Sequence, residues 1–264
     1  MKTWRLILDG AGRGAENMAR DEAIALSVAK GESLPTLRLY GWSEPVISIG
    51  CFQDSGFLKG KGLPLVRRIT GGRAVLHDNE LTYSVSCGRD HPVFFSGVDG
   101  AYSAISECVA KALSDIGVEA EFSEGRRYKD ARSKDFCFHA SSRREILACG
   151  GRKLVGSSQR RFKDAFLQHG SVIFGVDERL LEKVFGDGAV SKVAWVGMRS
   201  TASKEVFSRI LARRMEEGLR VRFEQSGLTR NERLSEAALA EVRYDCPGWN
   251  DGFGMDVEKN RDFV

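Results

Sequence analysis

The sequence predicts an α/β (α+β) protein with mixed, largely antiparallel sheets packed with helices and a short helical C-terminal end. Short β-type segments alternate with helical periodicity in the first half, three strands separated by short turns follow residue 144, and helical patterns follow Asp177. No low-complexity linker divides the 264 residues. We therefore expect one domain (1–264), with a core at 31–220 and a helical end at 221–264 whose tail is flexible.

Composition and charge exclude several classes of protein. With 42% hydrophobic and 29% charged residues, the chain has the composition of a soluble globular protein. Forty basic against 36 acidic residues give a net charge of +4, which is too small to indicate a nucleic-acid partner. The start lacks a signal-peptide core, and no run of about 20 apolar residues follows, so we expect neither export nor a membrane partner.

The cysteines indicate a reducing compartment. None of the six forms a C-x-x-C pair, which argues against a structural zinc site and against a disulfide framework. The cysteines are Cys51, Cys87, Cys108, Cys137, Cys149 and Cys246. We therefore expect a cytoplasmic protein without a metal or cofactor.

Apolar spacing and turn residues locate the individual elements. The predicted helices cover residues 15–29, 98–116, 177–185, 204–219 and 231–242, with Asp177 as an N-cap and Gly117 as a C-terminal stop. The predicted strands cover residues 4–8, 36–42, 46–52, 63–69, 74–76, 81–85, 118–122, 144–149, 153–158 and 165–174. A turn at 10–14 follows the first strand, the strands at 36–42 and 46–52 form a pair joined by a turn, and the last three form an antiparallel meander.

The run at residues 66–86 contains strand, turn, strand, turn and strand in close succession. Gly71 and Gly72 allow positive φ and close approach to the backbone, and Arg67, Arg68 and Arg73 supply positive charge for an anion or a polarised carbonyl. From these residues alone, an ordinary Gly-Gly hairpin with solvated arginines is the favoured interpretation, because such hairpins are common.

Two motifs show a family resemblance. RRITGGRAVLHDNELTYS resembles the first signature of the biotin/lipoate protein ligase and lipoyl/octanoyltransferase superfamily, and GRKLVGSSQRR followed by LQHGSVIF resembles the second. With the N-terminal helix, the resemblance spans roughly residues 4–180. A Cys-Phe pair ahead of the G-x-K strand is similar to the single-domain, cysteine-dependent octanoyltransferases.

The resemblance implies a biotin/lipoate ligase-like catalytic domain and a specific reaction. Such an enzyme moves an octanoyl group from octanoyl-acyl-carrier protein to a lysine of a lipoyl domain, as in the glycine cleavage H protein or a 2-oxoacid dehydrogenase subunit. It needs neither ATP nor a metal, because an acyl-cysteine thioester keeps the energy that amide formation requires.

The resemblance also implies site residues. Cys137 is the expected nucleophile, and Lys153 is expected to polarise the reacting carbonyl and favour the thiolate. Cys51, Cys87 and Cys108 are expected to be buried and inert, and Cys149 competes with Cys137 from within a predicted strand. The expected acyl-binding residues are Arg67, Arg68, Thr70, Gly71, Gly72, His77, Gly156, Ser157, Ser158, His169 and Gly170.

Some residues depart from the family pattern. ATP-using lipoate ligases usually carry a third glycine where this chain has Arg73, and the loop CFHASSRRE lacks the usual proline and tyrosine after Cys137. Three alternatives to octanoyl transfer from carrier protein stay open. They are an amidotransferase acting between lipoyl domains, an ATP-dependent lipoate ligase and a non-catalytic acyl- or lipoyl-binding module.

Overall fold

An eight-stranded mixed sheet is the largest element of the fold, and a three-stranded sheet accompanies it. The computed structural model describes residues 1–123, 145–148 and 150–252. Its strands are β1 (Lys2–Gly12), β2 (Thr36–Trp42), β3 (Val46–Ile49), β4 (Leu65–Arg67), β5 (Val75–His77), β6 (Glu80–Gly88), β7 (Ala120–Phe122), β8 (Ile146–Ala148), β9 (Arg152–Arg161), β10 (Ala165–Ile173) and β11 (Val221–Gln225). Its α-helices are α1 (Gly14–Ala29), α2 (Pro92–Phe95), α3 (Gly97–Asp115), α4 (Glu178–Phe185), α5 (Lys204–Leu219), α6 (Arg230–Leu239) and α7 (Pro247–Asp251).

The large sheet has the strand order β11-β1-β2-β6-β10-β9-β8-β7. Among the described strands, β11, β1 and β2 are parallel neighbours, whereas the other neighbours run antiparallel. The predicted meander is confirmed as β8, β9 and β10, and β6 pairs with the other side of β10 along its whole length. The predicted fold class is therefore confirmed.

The small sheet corrects two predictions of strand pairing. Segments 36–42 and 46–52 do not form a pair, since β2 joins the large sheet while the shorter β3 lies between β4 and β5 in the small one. The glycine-rich run is not a hairpin either, because β4 and β5 both pair with β3. The loop between them is held by the Arg68 guanidinium, which donates to the carbonyls of Gly71 and Arg73, and by the Cys51 N–H, which donates to the carbonyl of Thr70.

Helices cover the sheet according to the alternation of side chains along each strand. On β2, Leu37 and Leu39 lie in the cluster that contains α3 and α5, whereas Tyr40 lies in the cluster that contains α1. A third cluster joins the small sheet to α4. Within the described ranges, no helix combines the length and apolar character needed to cross a bilayer.

Most helix predictions are confirmed with small changes at the ends. The helix at 204–219 is confirmed as α5, and Asp177 caps α4 by accepting the N–H of Leu180 at 3.0 Å. The predicted turn at 10–14 is wrong, because β1 continues through an irregularity after Leu8 and pairs again with β2. The predicted helix at 231–242 becomes α6 followed by a π-helical stretch, Ala240–Tyr244.

The C-terminal end contains a strand that the sequence did not predict. β11 has the pattern VRFEQ, which buries Val221 alone, and its strand conformation depends on parallel pairing with β1. Residues 246–252 lie in the predicted helical end and include α7, and they are held by the Arg67 guanidinium, which donates to the carbonyls of Trp249 and Asn250. The division into a core at 31–220 and an end at 221–264 stays a prediction.

A buried carboxylate on α1 connects three strands of the large sheet. Asp21 accepts hydrogen bonds from the Arg38 guanidinium at 2.7 Å, the Ser84 hydroxyl at 2.8 Å, the Tyr40 hydroxyl at 2.9 Å and His169 Nδ1 at 3.1 Å. Burial opposes the charge of Asp21, but Arg38 and His169 outweigh burial and lower the pKa of Asp21 to about 2. Asp21 is therefore ionised at neutral pH and joins α1 to β2, β6 and β10.

We predict that Asp21→Asn lowers the free energy of unfolding by about 3–5 kcal/mol at neutral pH, because it removes the charge opposite the buried Arg38. As the pH falls, the unfolded chain binds a proton at Asp21 near the ordinary pKa of 3.8, whereas the folded protein binds it only near a pKa of about 2. Stability from this group, about 2–3 kcal/mol, is thus present above pH 4 and lost as the pH falls to about 2.

Urea denaturation at several pH values measures this effect. The exposed Asp187→Asn serves as the control, with an expected change within about 0.5 kcal/mol. An Asp21→Asn protein with the parental urea midpoint at neutral pH would contradict the assignment.

Candidate active site

A cavity opens between the small sheet and strands β9 and β10 of the large one. It encloses about 990 Å³, part of which is open to solvent. Aliphatic side chains form one part of its wall, namely Met18, Val75, Leu76, Ile173, Val176, Leu181 and Val193. An apolar wall beside a few polar groups is typical of a small-molecule site.

The structure brings most of the predicted site residues to this cavity. Those that line it are Arg68, Gly72, His77, Lys153, Gly156, Ser157, Ser158, His169 and Gly170. Tyr40 and Trp42 line it as well. Arg67, Thr70 and Gly71 are absent from the lining, and Cys137 and Cys149 lie outside the described residues.

Lys153 forms a buried ion pair on β9. Its Nζ lies 3.2 Å from Glu145 Oε1, and each residue is 5% exposed. The Lys153 carbonyl accepts the N–H of Ala194 at 2.9 Å, which fixes the backbone below the side chain. A Cβ at Gly156 would lie 3.0 Å from Lys153 Cε, so glycine makes room for the lysine side chain. Glu145 was not among the predicted site residues, although it is the last residue of the quoted loop CFHASSRRE and its position in that motif could have indicated it.

His77 is held between a carboxylate and a hydroxyl. Ser48 Oγ accepts a hydrogen bond from Arg68 Nη1 at 2.7 Å and is also hydrogen-bonded to His77 Nε2 at 2.6 Å. His77 Nδ1 donates to Glu80 Oε1 at 2.7 Å, and the ring stacks on Trp42 with 3.9 Å between ring centroids. These contacts fix the orientation of the His77 ring at the cavity wall.

Glu80 is the acceptor at the centre of this network. It also accepts the hydroxyls of Ser171 at 2.5 Å and Thr82 at 2.7 Å. Burial alone would raise the pKa of Glu80, but interactions with His77 and both hydroxyls outweigh burial and lower the pKa. Glu80 lies within the quoted motif HDNE, yet a motif position does not reveal which side chain accepts hydrogen bonds.

His169 forms a second line of hydrogen bonds. Its Nδ1 donates to Asp21, and burial, the largest effect, lowers the pKa of His169, so Nε2 accepts the Thr70 hydroxyl at 2.7 Å. Thr70 Oγ1 in turn accepts the Ser158 hydroxyl at 2.8 Å. Thr70 is fully buried behind the cavity wall and thereby connects two residues that line the cavity.

Arg67 binds backbone carbonyls and does not line the cavity. Its guanidinium donates to the carbonyls of Gly50, Gln53, Trp249 and Asn250, at distances between 2.6 and 3.1 Å. These bonds occupy the guanidinium N–H groups of Arg67, which was expected to bind the acyl substrate. Arg67 instead joins β4 to the loop after β3 and to α7.

Three of the described cysteines are poor nucleophiles. Burial raises the pKa of Cys51, Cys87 and Cys108, in the last case to about 11. All three are buried, as expected from the sequence. Over the ranges that the structure describes, no cluster of three His, Cys, Asp or Glu side chains is arranged to hold a metal ion.

The geometry suits the reaction of an acyl group. An aliphatic wall can hold a hydrocarbon chain, and the Lys153 ammonium can stabilise negative charge that develops on a carbonyl oxygen. Both histidine rings are occupied by fixed hydrogen bonds, and Lys153 and Glu145 form a buried ion pair at the cavity wall.

Known proteins resemble this chain in sequence or in fold. Octanoyltransferase LipM of Kyrpidia tusciae is 38% identical over 95% of this chain and 99% of its own length, and LipM of Geobacillus kaustophilus is 37% identical over 94% and 98%. A lipoate-protein ligase A bound with ATP superposes with a TM-score of 0.79 at 27% identity, over 96% of this chain and 100% of that one. A bipartite lipoate protein ligase of Thermoplasma acidophilum gives 0.77 at 26%, over 96% and 98%.

The family model described as the lipoyl protein ligase A/B catalytic domain matches residues 13–209. This range contains the small sheet, the α1 carboxylate and the strand that carries Lys153. The chain therefore belongs to the lipoyl protein ligase A/B catalytic-domain family.

Proposed function

We propose that this protein transfers an octanoyl group from acyl-carrier protein to the lipoyl-domain lysine of lipoate-dependent enzymes, through a thioester on Cys137. The observation that carries the proposal is the Lys153 ammonium at the wall of an apolar-lined cavity. Relatives named octanoyltransferase that match nearly the whole chain support the same reaction. The ATP-dependent ligase is less favoured, because Arg73 takes the place of a ligase glycine and lines the cavity.

The loop between β4 and β5 is where the acyl chain meets the backbone. Gly72 has φ of +94°, and its carbonyl occupies the space that a side chain at residue 50 would need, since a Cβ on Gly50 would lie 2.0 Å from Gly72 O. A Cβ at Gly72 would meet Arg68 Nη2 at 3.1 Å and Ser158 Cβ at 3.8 Å, both in residues that line the cavity. Glycine therefore keeps this part of the cavity open.

We predict that Gly72→Val lowers acyl transfer by about 10- to 100-fold, because its methyl groups enter the cavity between Arg68 and Ser158. The positive φ at residue 72 also strains a branched residue, so we expect Gly72→Val to lose about 1–3 kcal/mol of folding stability as well. Transfer rates and urea midpoints measure both effects. Gly71→Ala is the matched control, since an added Cβ there has no neighbour within 4 Å. Parental activity in Gly72→Val would contradict the placement.

Lys153 acts on the reacting carbonyl in this proposal. The Lys153 side chain is buried and its backbone is fixed by a hydrogen bond. Little reorganisation is therefore needed when negative charge develops on the carbonyl oxygen. The same charge favours the thiolate form of a nearby cysteine.

We predict that Lys153→Ala slows transfer by about 10²–10³-fold, which corresponds to roughly 3–4 kcal/mol of transition-state stabilisation. The substitution also leaves Glu145 without its cation, so circular dichroism and a urea midpoint must show that the variant is folded. Lys192→Ala, an exposed lysine next to the residue that bridges to Lys153, is the control with expected parental activity. Equal rates for Lys153→Ala and the parent would remove Lys153 from the chemistry.

The route through Cys137 has two steps. The Cys137 thiolate attacks the carbonyl of the donor thioester, and the C–S bond to the carrier breaks, releasing the carrier thiol after protonation. The acceptor amine then attacks the acyl-Cys137 carbonyl, an amide forms and the cysteine leaves. Because donor and enzyme thioesters are nearly equal in energy, the stable amide drives the sequence and ATP is not needed.

We predict that octanoyl-acyl-carrier protein alone adds one octanoyl mass to the enzyme, and that neutral hydroxylamine removes it. Cys137→Ser should lack this labile adduct and should not transfer at the parental rate. Cys149→Ser is the matched control and should acquire the adduct. Intact-mass spectrometry with and without ATP tests the route. Activity that requires ATP and free octanoic acid would support the ligase instead.

The acceptors are lipoyl-domain proteins, and we propose the glycine cleavage H protein and 2-oxoacid dehydrogenase subunits among them. The donor is proposed to be octanoyl-acyl-carrier protein. We also propose a cytoplasmic location, which the scattered cysteines without C-x-x-C spacing support.

A further inference from the structure

Glu145 presents a buried oxygen that has no hydrogen-bond partner. Its Oε1 contacts Lys153 Nζ at 3.2 Å, whereas Oε2 is enclosed without a donor among the described residues. The residue is 5% exposed and lines the cavity. Buried carboxylate oxygens are normally satisfied, and one left open is costly. A hydrogen-bond acceptor without a donor, in a residue that lines a cavity, indicates a ligand that supplies the donor.

The proposed reaction contains one substrate with the matching chemistry. The acceptor is a lysine side chain, which at neutral pH is an ammonium with three N–H donors. An ammonium has no lone pair, so it must lose a proton before its nitrogen can attack a carbonyl. Lys153 cannot take that proton while it is itself an ammonium.

The other acidic and imidazole groups around the cavity are engaged or more exposed. Both ring nitrogens of His77 and of His169 already have hydrogen-bond partners, and Glu80 accepts three. Asp177 is exposed and caps α4, and Asp78 is partly exposed. Glu145 combines burial, an open oxygen and contact with Lys153.

We propose that Glu145 Oε2 binds the ε-ammonium of the acceptor lysine and removes one of its protons. This inference rests on the proposed function and names the site for its second substrate. The N–H bond breaks, its proton passes to the Glu145 carboxylate, and the freed electron pair forms the bond to the acyl carbon. The C–S bond of the acyl-enzyme breaks. The second amine proton of the tetrahedral intermediate goes to the leaving sulfur, and Glu145 returns its proton to solvent.

The experiment distinguishes proton removal by Glu145 from a role in which Glu145 only holds Lys153 in place. Acyl-enzyme is first formed from octanoyl-acyl-carrier protein and isolated, and it is then mixed either with an apo lipoyl domain or with hydroxylamine. Hydroxylamine is uncharged at neutral pH, so it needs no base to become a nucleophile. Glu145→Gln keeps the shape and removes the carboxylate charge.

We predict that Glu145→Gln slows transfer to the lipoyl domain by about 10²–10⁴-fold, while hydroxylamine cleavage and acyl-enzyme formation change far less. Glu145→Asp retains a carboxylate and should show a smaller selective loss, which keeps the test decisive if the Gln variant does not fold. A parallel fall of all three reactions would show that Glu145 acts only by holding Lys153, and would overturn the proposal.

Three further outcomes are also decisive. Parental transfer by Glu145→Gln would overturn the inference, as would a selective loss that appears in Asp78→Asn instead. If the parent protein forms no acyl-enzyme at all, the proposed function itself fails. The failure of the function is thus distinguishable from a failure of the Glu145 assignment.

Discussion

The ionised carboxylate of Asp21 is the constraint on which the arrangement of the site depends. A carboxylate is stable in a protein interior when charged and polar donors surround it, and Asp21 receives such donors from β2, β6 and β10. One of them, His169, is thereby fixed in orientation and tautomer. Through Thr70, the same line of hydrogen bonds reaches Ser158 on the cavity wall, so the position of α1 and the shape of the cavity are coupled.

The histidines of the two family motifs serve as rigid connectors. His77 and His169 each lie between a carboxylate and a hydroxyl, and neither ring has a free nitrogen to exchange protons with a substrate. The ion pair of Lys153 and Glu145 differs, since Glu145 Oε2 has no hydrogen-bond donor within the part of the chain that the structure describes. In the proposed mechanism the reaction takes place at this ion pair, where the fixed polar groups around it need little reorganisation.

The energetics of thioester chemistry match this construction. Thioester exchange between donor and enzyme needs little driving force, so the protein mainly has to hold the acyl chain, stabilise an oxyanion and provide an amine in its neutral form. The aliphatic wall, the Lys153 ammonium and the Glu145 carboxylate correspond to these three requirements in the proposed mechanism. Water would compete with the amine for the same acyl carbon, and burial of both charges limits the number of water molecules beside them.

The sequence by itself determined the features that are encoded over about ten neighbouring residues. The apolar period of α5, the Asp177 cap of α4, the meander of β8 to β10 and the motif that carries Lys153 were all predicted from local patterns. Tertiary structure decided which strands pair and where buried charges find partners. β4 and β5 join β3 and not each other, β11 is a strand because β1 is its neighbour, and Arg67 binds carbonyls at Trp249 and Asn250. The open oxygen of Glu145 belongs to this second group, because whether a polar atom is satisfied depends on residues that are distant in the chain and meet only after folding.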